Sequence, residues 1–466
     1  MSVRRSYAWL CAIGLGLVPS CVVDGADNHG QTDERAAKPE VRLRAPLRLD
    51  RVADGEIPTA SACTNPGGMH CFAHVQATED GHVAAGDAGD APDGFTPADL
   101  QDAYQIPLTI DGHPTIAMID AYGYDALEAD LAIYRGQFDL PPCTVANRCL
   151  TIVNQNGDTS PLPGPPPDAD DWTIETALDV DMASAACPGC KLLVVQATDD
   201  TGDGLELAQA AAAKLGASVI SNSWGGPERA GQSLESFEPF FDQPVAVFVA
   251  GGDDGYDDGG QGPDYPGTSA HAIAVGGTHL ERDTSTRGWK ETAWSSGGSA
   301  CSLSIPKPSY QTGTSCNFKA TTDIAAVGDP QTGMASYDSE NGGWGIVGGT
   351  SAAAPIIAAI FAATNNGGQT SGSFIMDNAD KLNDITTGTN GDCGNVLCTA
   401  GTGWDGPTGY GTPNGKLLDN NTGSGSTDYG VVSGGCDAVG NRAGLAMIAL
   451  IALSLALQPT RRRARG

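Results

Sequence analysis

Residues 245–255 read VAVFVAGGDDG: six apolar residues run without a break into two glycines, two adjacent carboxylates and a third glycine. A strand with no polar alternation is buried on both faces, which is the pattern of a parallel sheet covered by helices. Four more runs share this character: TIAMID (Thr115–Asp120), KLLVVQA (Lys191–Ala197), SVISNS (Ser218–Ser223) and AIAVGG (Ala272–Gly277). Helical patterns lie between and before them. GLELAQAAAAKLGA stops at Gly216, the position of a C-terminal cap, and TPADLQDAYQIP opens on the N-cap candidate Thr96. The expected fold is α/β, a largely parallel central sheet flanked by helices, with ligands held beyond the carboxyl ends of the strands. No internal repeat is present.

The chain has 466 residues, with Lys plus Arg at 25 and Asp plus Glu at 56, a net charge of −31. That balance excludes sequence-independent nucleic-acid binding, which needs cations to displace counterions. With 40% hydrophobic residues the chain can bury a core, and its 63 glycines favour turns and sites built from backbone.

Arg4 and Arg5, followed by an apolar run from Ala8 to Val18, read as a secretory signal over residues 1–21, with Cys21 as a site for a lipid. Residues 22–94 are polar and without periodicity, a flexible leader or short pro-region. The body spans residues 95–418 and a Gly/Ser linker residues 419–435. Residues 436–466 hold Cys436, the apolar stretch Ala443–Leu457 and a terminal arginine cluster. Fifteen residues at about 1.5 Å each fall short of a ~30 Å hydrocarbon core. This end resembles the sorting tails of Gram-negative bacteria, which implies a processing enzyme as partner; an ordinary tail anchor stays open. Both readings make the body an exported protein, secreted or anchored at the cell surface, with membrane contact through the tail or a lipid. Ten other cysteines form close pairs, 63/71, 143/149, 187/190, 301/316 and 393/398, as expected of five small disulfide loops in an oxidising compartment.

Four segments carry candidate chemistry. In DDWTIETALDVDMASAACPGC, a helix would set Glu175 and Asp179 on one face. GGDDG puts Asp253 and Asp254 at a strand end. In GIVGGTSAAAPIIAAIFAAT, Ser351 opens an alanine-rich helix with Pro355 in its first turn, where free N–H groups favour developing negative charge. SNSWGG (Ser221–Gly226) offers Ser223, Trp224 and Gly225 as one wall of a substrate groove. Each alone has a plain structural reading as a solvated face, an acidic turn or an N-cap.

Taken together and in order, ETALD, ACPGCKLLVVQA, SNSWGG, GGDDG, DYPGTSAHAIAVGGT and GGTSAAAPIIAAI resemble the sedolisin family of serine-carboxyl peptidases, from about Phe95 to Leu418. The resemblance implies a subtilisin-like three-layer fold and endopeptidase activity on protein or peptide substrates at acidic pH. It makes Ser351 the nucleophile, Glu175 its general base and Asp179 the group orienting Glu175. Asp253 would supply the oxyanion hole with the Ser351 N–H, although Asp254 stands beside it. A carboxylate with a pKa near ~4.3 remains a base in acid, where an imidazole near ~6.5 is protonated. A carboxyl donates to an oxyanion only while protonated. The same resemblance implies one structural Ca²⁺, held by the carboxylates of Asp384 and Asp405 and the carbonyls of Ile385, Gly401 and Gly403. The family's large N-terminal prodomain has no counterpart long enough in residues 22–94.

Two other functions compete. A neutral-pH subtilisin needs an aspartate after its first strand, which Asp120 supplies, and a helix-opening histidine, which the text lacks; Asp120 then reads as a cap or turn residue. A catalytically silent, surface-displayed binding protein of the same fold is the other.

Overall fold

The apolar runs become the interior of one sheet. In chain order its strands are β1 (Thr115–Ala121), β2 (Leu150–Asn154), β3 (Lys191–Ala197), β4 (Val219–Asn222), β5 (Ala246–Ala250), β6 (Ile273–Arg282), β7 (Trp289–Ala293) and β8 (Ile324–Val327). The computed structural model describes residues 46–422 apart from 54, 64–67, 85, 87–92, 168–169 and 229–235. The expected signal, most of the linker and the Cys436 tail lie outside the described residues. The spatial order is β7-β6-β5-β4-β1-β3-β2, with β8 also on β6. All of these pairs are parallel except β6–β7. The α/β expectation holds.

Five helices matter for the site: α1 (Pro97–Ala103), α2 (Leu127–Gln137), α3 (Trp172–Ala186), α4 (Gly202–Lys214) and α5 (Thr350–Ala363). Thr96 caps α1 in a reciprocal capping box with Asp99. Gly216 follows α4 at φ +85°, a left-handed conformation that glycine adopts without steric cost. Both α3 and α5 are buried along their entire length. From β1 the chain fills β2 and β3 on one side and then β4, β5 and β6 on the other. The direction reverses around β1, which puts the topological switch point, where such sheets hold their sites, beyond the carboxyl ends of β1 and β4.

Three strands were not legible as such. β2 mixes exposed and buried residues at the sheet edge, β7 alternates, and β8 is only four residues of Ile, Ala and Val. The polar leader also differs from its reading. Within it, Arg48–Leu49, Thr59–Ser61 and His74–Gln76 join Gly343–Gly348 and Met334–Asp338 in a five-stranded antiparallel sheet. His70–Cys71 pairs with Trp224–Pro227, whose other edge pairs with Asp264–Tyr265. Strands of two or three residues cannot display a period of two, so their pairing depends on partners far along the chain.

All five cysteine pairs are disulfide-bonded, with Cα–Cα separations of 5.3, 4.8, 5.4, 5.4 and 5.8 Å. Among the described residues no helix is long and apolar enough to cross a membrane.

Candidate active site

Ser351 stands one residue into α5, reached through Gly348 and Gly349 from the end of a strand. Gly349 has φ +97°, and a Cβ there would lie 1.9 Å from the Phe72 carbonyl oxygen and 2.7 Å from Asp253 Oδ2. Only glycine fits this approach. The Ser351 hydroxyl is wholly buried. Its single proton has two acceptors within reach, Glu175 Oε2 at 2.9 Å and the Ser223 carbonyl at 3.0 Å. Pro355 lies in the second turn of α5, not the first, and has no N–H to give to the carbonyl four residues earlier. That carbonyl, of Ser351, is instead within 3.2 Å of the Ser223 hydroxyl.

Glu175 and Asp179 do share a face of α3, but Asp179 acts through an intermediary. Its Oδ1 accepts from Ser223 Oγ at 2.7 Å. Its Oδ2 and Glu175 Oε1 are buried without a hydrogen-bond partner. Asp120 joins them electrostatically. It is no cap or turn residue: it occupies the sixth position of β1, fully buried, and neither of its oxygens has a partner. Burial, with the like charges of Asp179 and Asp120, holds Glu175 well above the usual carboxylate range. Burial and Asp120 do the same to Asp179, and burial pushes Asp120 up to about 7. Three carboxyls in a dry site cannot all ionise, so they retain protons between them.

Asp253 and Asp254 separate cleanly. Asp254 is exposed, whereas Asp253 is buried at the end of β5. Asp253 Oδ1 accepts from the Thr350 N–H at 2.8 Å and the Thr350 hydroxyl at 2.6 Å, which fixes it beside the start of α5. Burial pushes Asp253 up to about 7, while His74 and Thr350 pull the other way. His74 was not legible as part of the site. It is 179 positions before Asp253, in a segment that reads as leader, yet its Nε2 lies 3.3 Å from Asp253 Oδ2 and its Nδ1 2.7 Å from Asp50 Oδ2. Burial opposes its charge, but the Asp50 hydrogen bond and the neighbouring carboxylates raise His74 to about 9.

The groove strand is arranged differently from its reading. Trp224 turns its ring into the core against Phe241, with centroids 6.3 Å apart, and the Phe72 ring packs over Gly225, where an added Cβ would stand 2.8 Å from Phe72 Cε2. Near the far end of the body, Asp384 accepts from the Gly403 N–H at 3.1 Å. Asp405 accepts from the Gly401 N–H at 2.9 Å and the Thr408 hydroxyl at 2.8 Å. The two carboxylates therefore flank one loop. Burial, with the charge of Asp384 beside it, pushes Asp405 up to about 7. Among the described residues no group of three or more His, Cys, Asp or Glu side chains gathers here, and both oxygens of each carboxylate already accept from backbone or hydroxyl donors.

Residues 167–411 match the subtilase family. The chain belongs to the subtilase family. Kumamolisin of Bacillus sp. (strain MN-32) is 32% identical over 375 residues, covering 73% of this chain and 65% of kumamolisin. Sedolisin of Pseudomonas sp. (strain 101) is 29% identical over 317 residues, covering 59% of this chain and 53% of sedolisin. The chain thus spans just under two thirds of the length of kumamolisin. Among solved structures, Pseudomonas sedolisin, a serine-carboxyl proteinase complexed with two molecules of pseudo-iodotyrostatin, superposes with a TM-score of 0.59 at 25% identity. That superposition covers 71% of this chain and 98% of the other. The subtilisin-like α/β fold follows from these likenesses together with the sheet order.

Proposed function

We propose that this chain is a sedolisin-type serine endopeptidase, exported, that hydrolyses peptide bonds of proteins in acid through an acyl-enzyme on Ser351. One observation carries the reading: a serine at a helix N-terminus places its hydroxyl 2.9 Å from a buried glutamate, and among the described residues no histidine is one of its hydrogen-bond partners. In this reading Glu175 takes the Ser351 proton as the oxygen attacks, and later returns it to the leaving amine. Asp179, held through Ser223, and Asp120 raise the proton affinity of Glu175. Asp253, neutral below about 7, donates with the Ser351 N–H to the oxyanion. Ionisation of Asp253 removes that donor, so activity fades as pH rises towards neutrality. Solvent entering an opened groove relieves the burial of Glu175 and lowers its pKa, which frees it to act as base.

Asp384 and Asp405, with the carbonyls of Ile385, Gly401 and Gly403, would hold a structural Ca²⁺. The ion would neutralise two adjacent carboxylates and brace the loop between them. Processing at Cys436 by a sorting enzyme belongs to the same proposal.

The test is cleavage of an unfolded protein from pH 2.5 to 8 by the full-length chain, beside Ser351→Ala and Glu175→Gln. Acidic cleavage lost in both variants is expected. Cleavage centred near pH 8 would favour a neutral subtilisin mechanism, and none at any pH from folded, calcium-loaded protein would favour a silent binding protein.

A further inference from the structure

A narrow pocket opens beside the oxyanion turn, lined by residues 251–254, Asp258, Asp264, Gly298 and Ala300. Two of its glycines leave no room for a side chain. A Cβ on Gly298 would stand 2.1 Å from the Gly251 carbonyl oxygen, and one on Gly252, at φ +100°, 2.9 Å from Asp264 Oδ2. Much of the wall is therefore bare backbone. The charged side chains that line it are all acids, graded in exposure: Asp254 is exposed, Asp258 half-buried, and Asp253 and Asp264 buried.

Asp264 sits in the short strand Asp264–Tyr265, opposite Pro227 of the groove strand. The residue is only 5% exposed, yet its Oδ1 has no hydrogen-bond partner. Burial and the like charges of Asp258, Asp254 and Asp253 hold it well above the usual carboxylate range. A carboxyl so placed lacks an N–H donor and a positive charge, and a cationic side chain brings both. The acids are spread along the pocket rather than gathered round a point: among the described residues no group of three or more His, Cys, Asp or Glu is placed to hold a metal ion.

Asp253 belongs both to this pocket and to the proposed oxyanion hole. The substrate side chain nearest an oxyanion is that of the residue whose carbonyl is attacked, so that side chain is the one that meets the pocket. We infer that the pocket takes the side chain on the amino side of the scissile bond, and that Asp264 selects lysine or arginine there. The inference rests on the peptidase reading and names its substrates as chains cut after a basic residue. The unbranched stem of either side chain suits a narrow pocket walled by glycine. Its charged head lowers the pKa of Asp264 on arrival, so the ion pair forms in acid. A glutamate in the same place would add one more like charge and is rejected.

Four peptides test this with the full-length chain in acid. They differ only before the scissile bond, where they carry lysine, arginine, norleucine or glutamate, and kcat/KM is read for each by mass spectrometry. Norleucine has the lysine stem without its charge. Wild type is expected to favour lysine and arginine over norleucine at least about ten-fold, with glutamate poorest. In Asp264→Asn the lysine-to-norleucine ratio should fall by about ten-fold or more. The ratio is taken within one protein, so a general loss of active enzyme cancels, and an unmoved ratio would overturn the role of Asp264. Equal wild-type rates for lysine and norleucine would overturn the inference whether or not the variant folds, and would leave the peptidase reading standing. Cleavage of none of the four by folded protein would overturn the peptidase reading, and this inference with it.

Discussion

Two groups of buried carboxyls are fed by the same helix and are finished differently. At the start of α3, Asp338 accepts from Tyr124 at 2.9 Å and from Asn341 at 2.8 Å. The one Tyr124 proton is within reach of Asp130 as well as Asp338, and Asp130 also accepts from the N–H and hydroxyl of Ser339 at 2.9 and 2.8 Å. One to two turns further on, Glu175 Oε1, Asp179 Oδ2 and both oxygens of Asp120 accept nothing. The first group is met by side-chain and backbone donors, which is how buried acids are accommodated in a fold. The second retains protons without donors to hold them, a costly arrangement of the kind that gathers at functional sites. Burial alone therefore does not mark a functional acid; an unmet oxygen beside a nucleophile does.

The sharpest way to break this contrast is to remove one member from each group. Ser351→Ala or Glu175→Gln should lower peptide cleavage by roughly 10²–10⁴-fold or more while leaving the thermal midpoint almost unchanged. Cleavage rates beside melting curves read both. Asp253→Ala removes a single oxyanion donor, and kcat should fall about 10²–10³-fold. A loss confined to KM would show that Asp253 only shapes the groove. Asp130→Asn is the mirror case: the donors of Tyr124 and Ser339 lose their carboxylate acceptor, so stability should drop by about 1–3 kcal/mol in urea unfolding with little change in kcat.

A pH series sharpens the comparison further. Asp120 and Asp253 are raised from 3.8 to about 7 when folded, so between those values the folded chain binds protons that the unfolded chain has released. Stability is then complete below about pH 4, falls as pH rises, and loses this contribution as pH passes about 7. The slope is about 1.4 kcal/mol per pH unit for each retained proton. Asp120→Asn should flatten it, and a melting point that climbs from pH 4 to 7 would refute the unmet-acid assignment. The smallest effect is expected of calcium: chelation should lower the thermal midpoint by a few degrees, with Asp405→Ala insensitive to the chelator.

Much of this was legible beforehand. β1, β3, β4 and β5 are long apolar runs, and Glu175, Asp179, Asp253 and Ser351 each stand at a spacing or beside glycines that constrain the backbone. What was not legible depends on distance along the chain. Asp120 has the local look of a strand-end turn, and only the packing of α3 on β1 reveals its neighbours. His74 opens a strand of three residues and Phe72 lies between two such short strands, below the length at which a pattern exists, and their partners are Asp253 and Ser351. Trp224 was expected to face the groove, but the alternation of its strand turns the ring inward.

The Ser351 contacts join residues 176 and 279 positions apart in the chain. Such long-range closures form late, since loop entropy must be overcome before they reward the chain. The Ser351 cluster is therefore among the last things this molecule assembles. On the proposed peptidase reading, the polypeptide carries no assembled proteolytic site during its synthesis, which would spare the machinery that handles it.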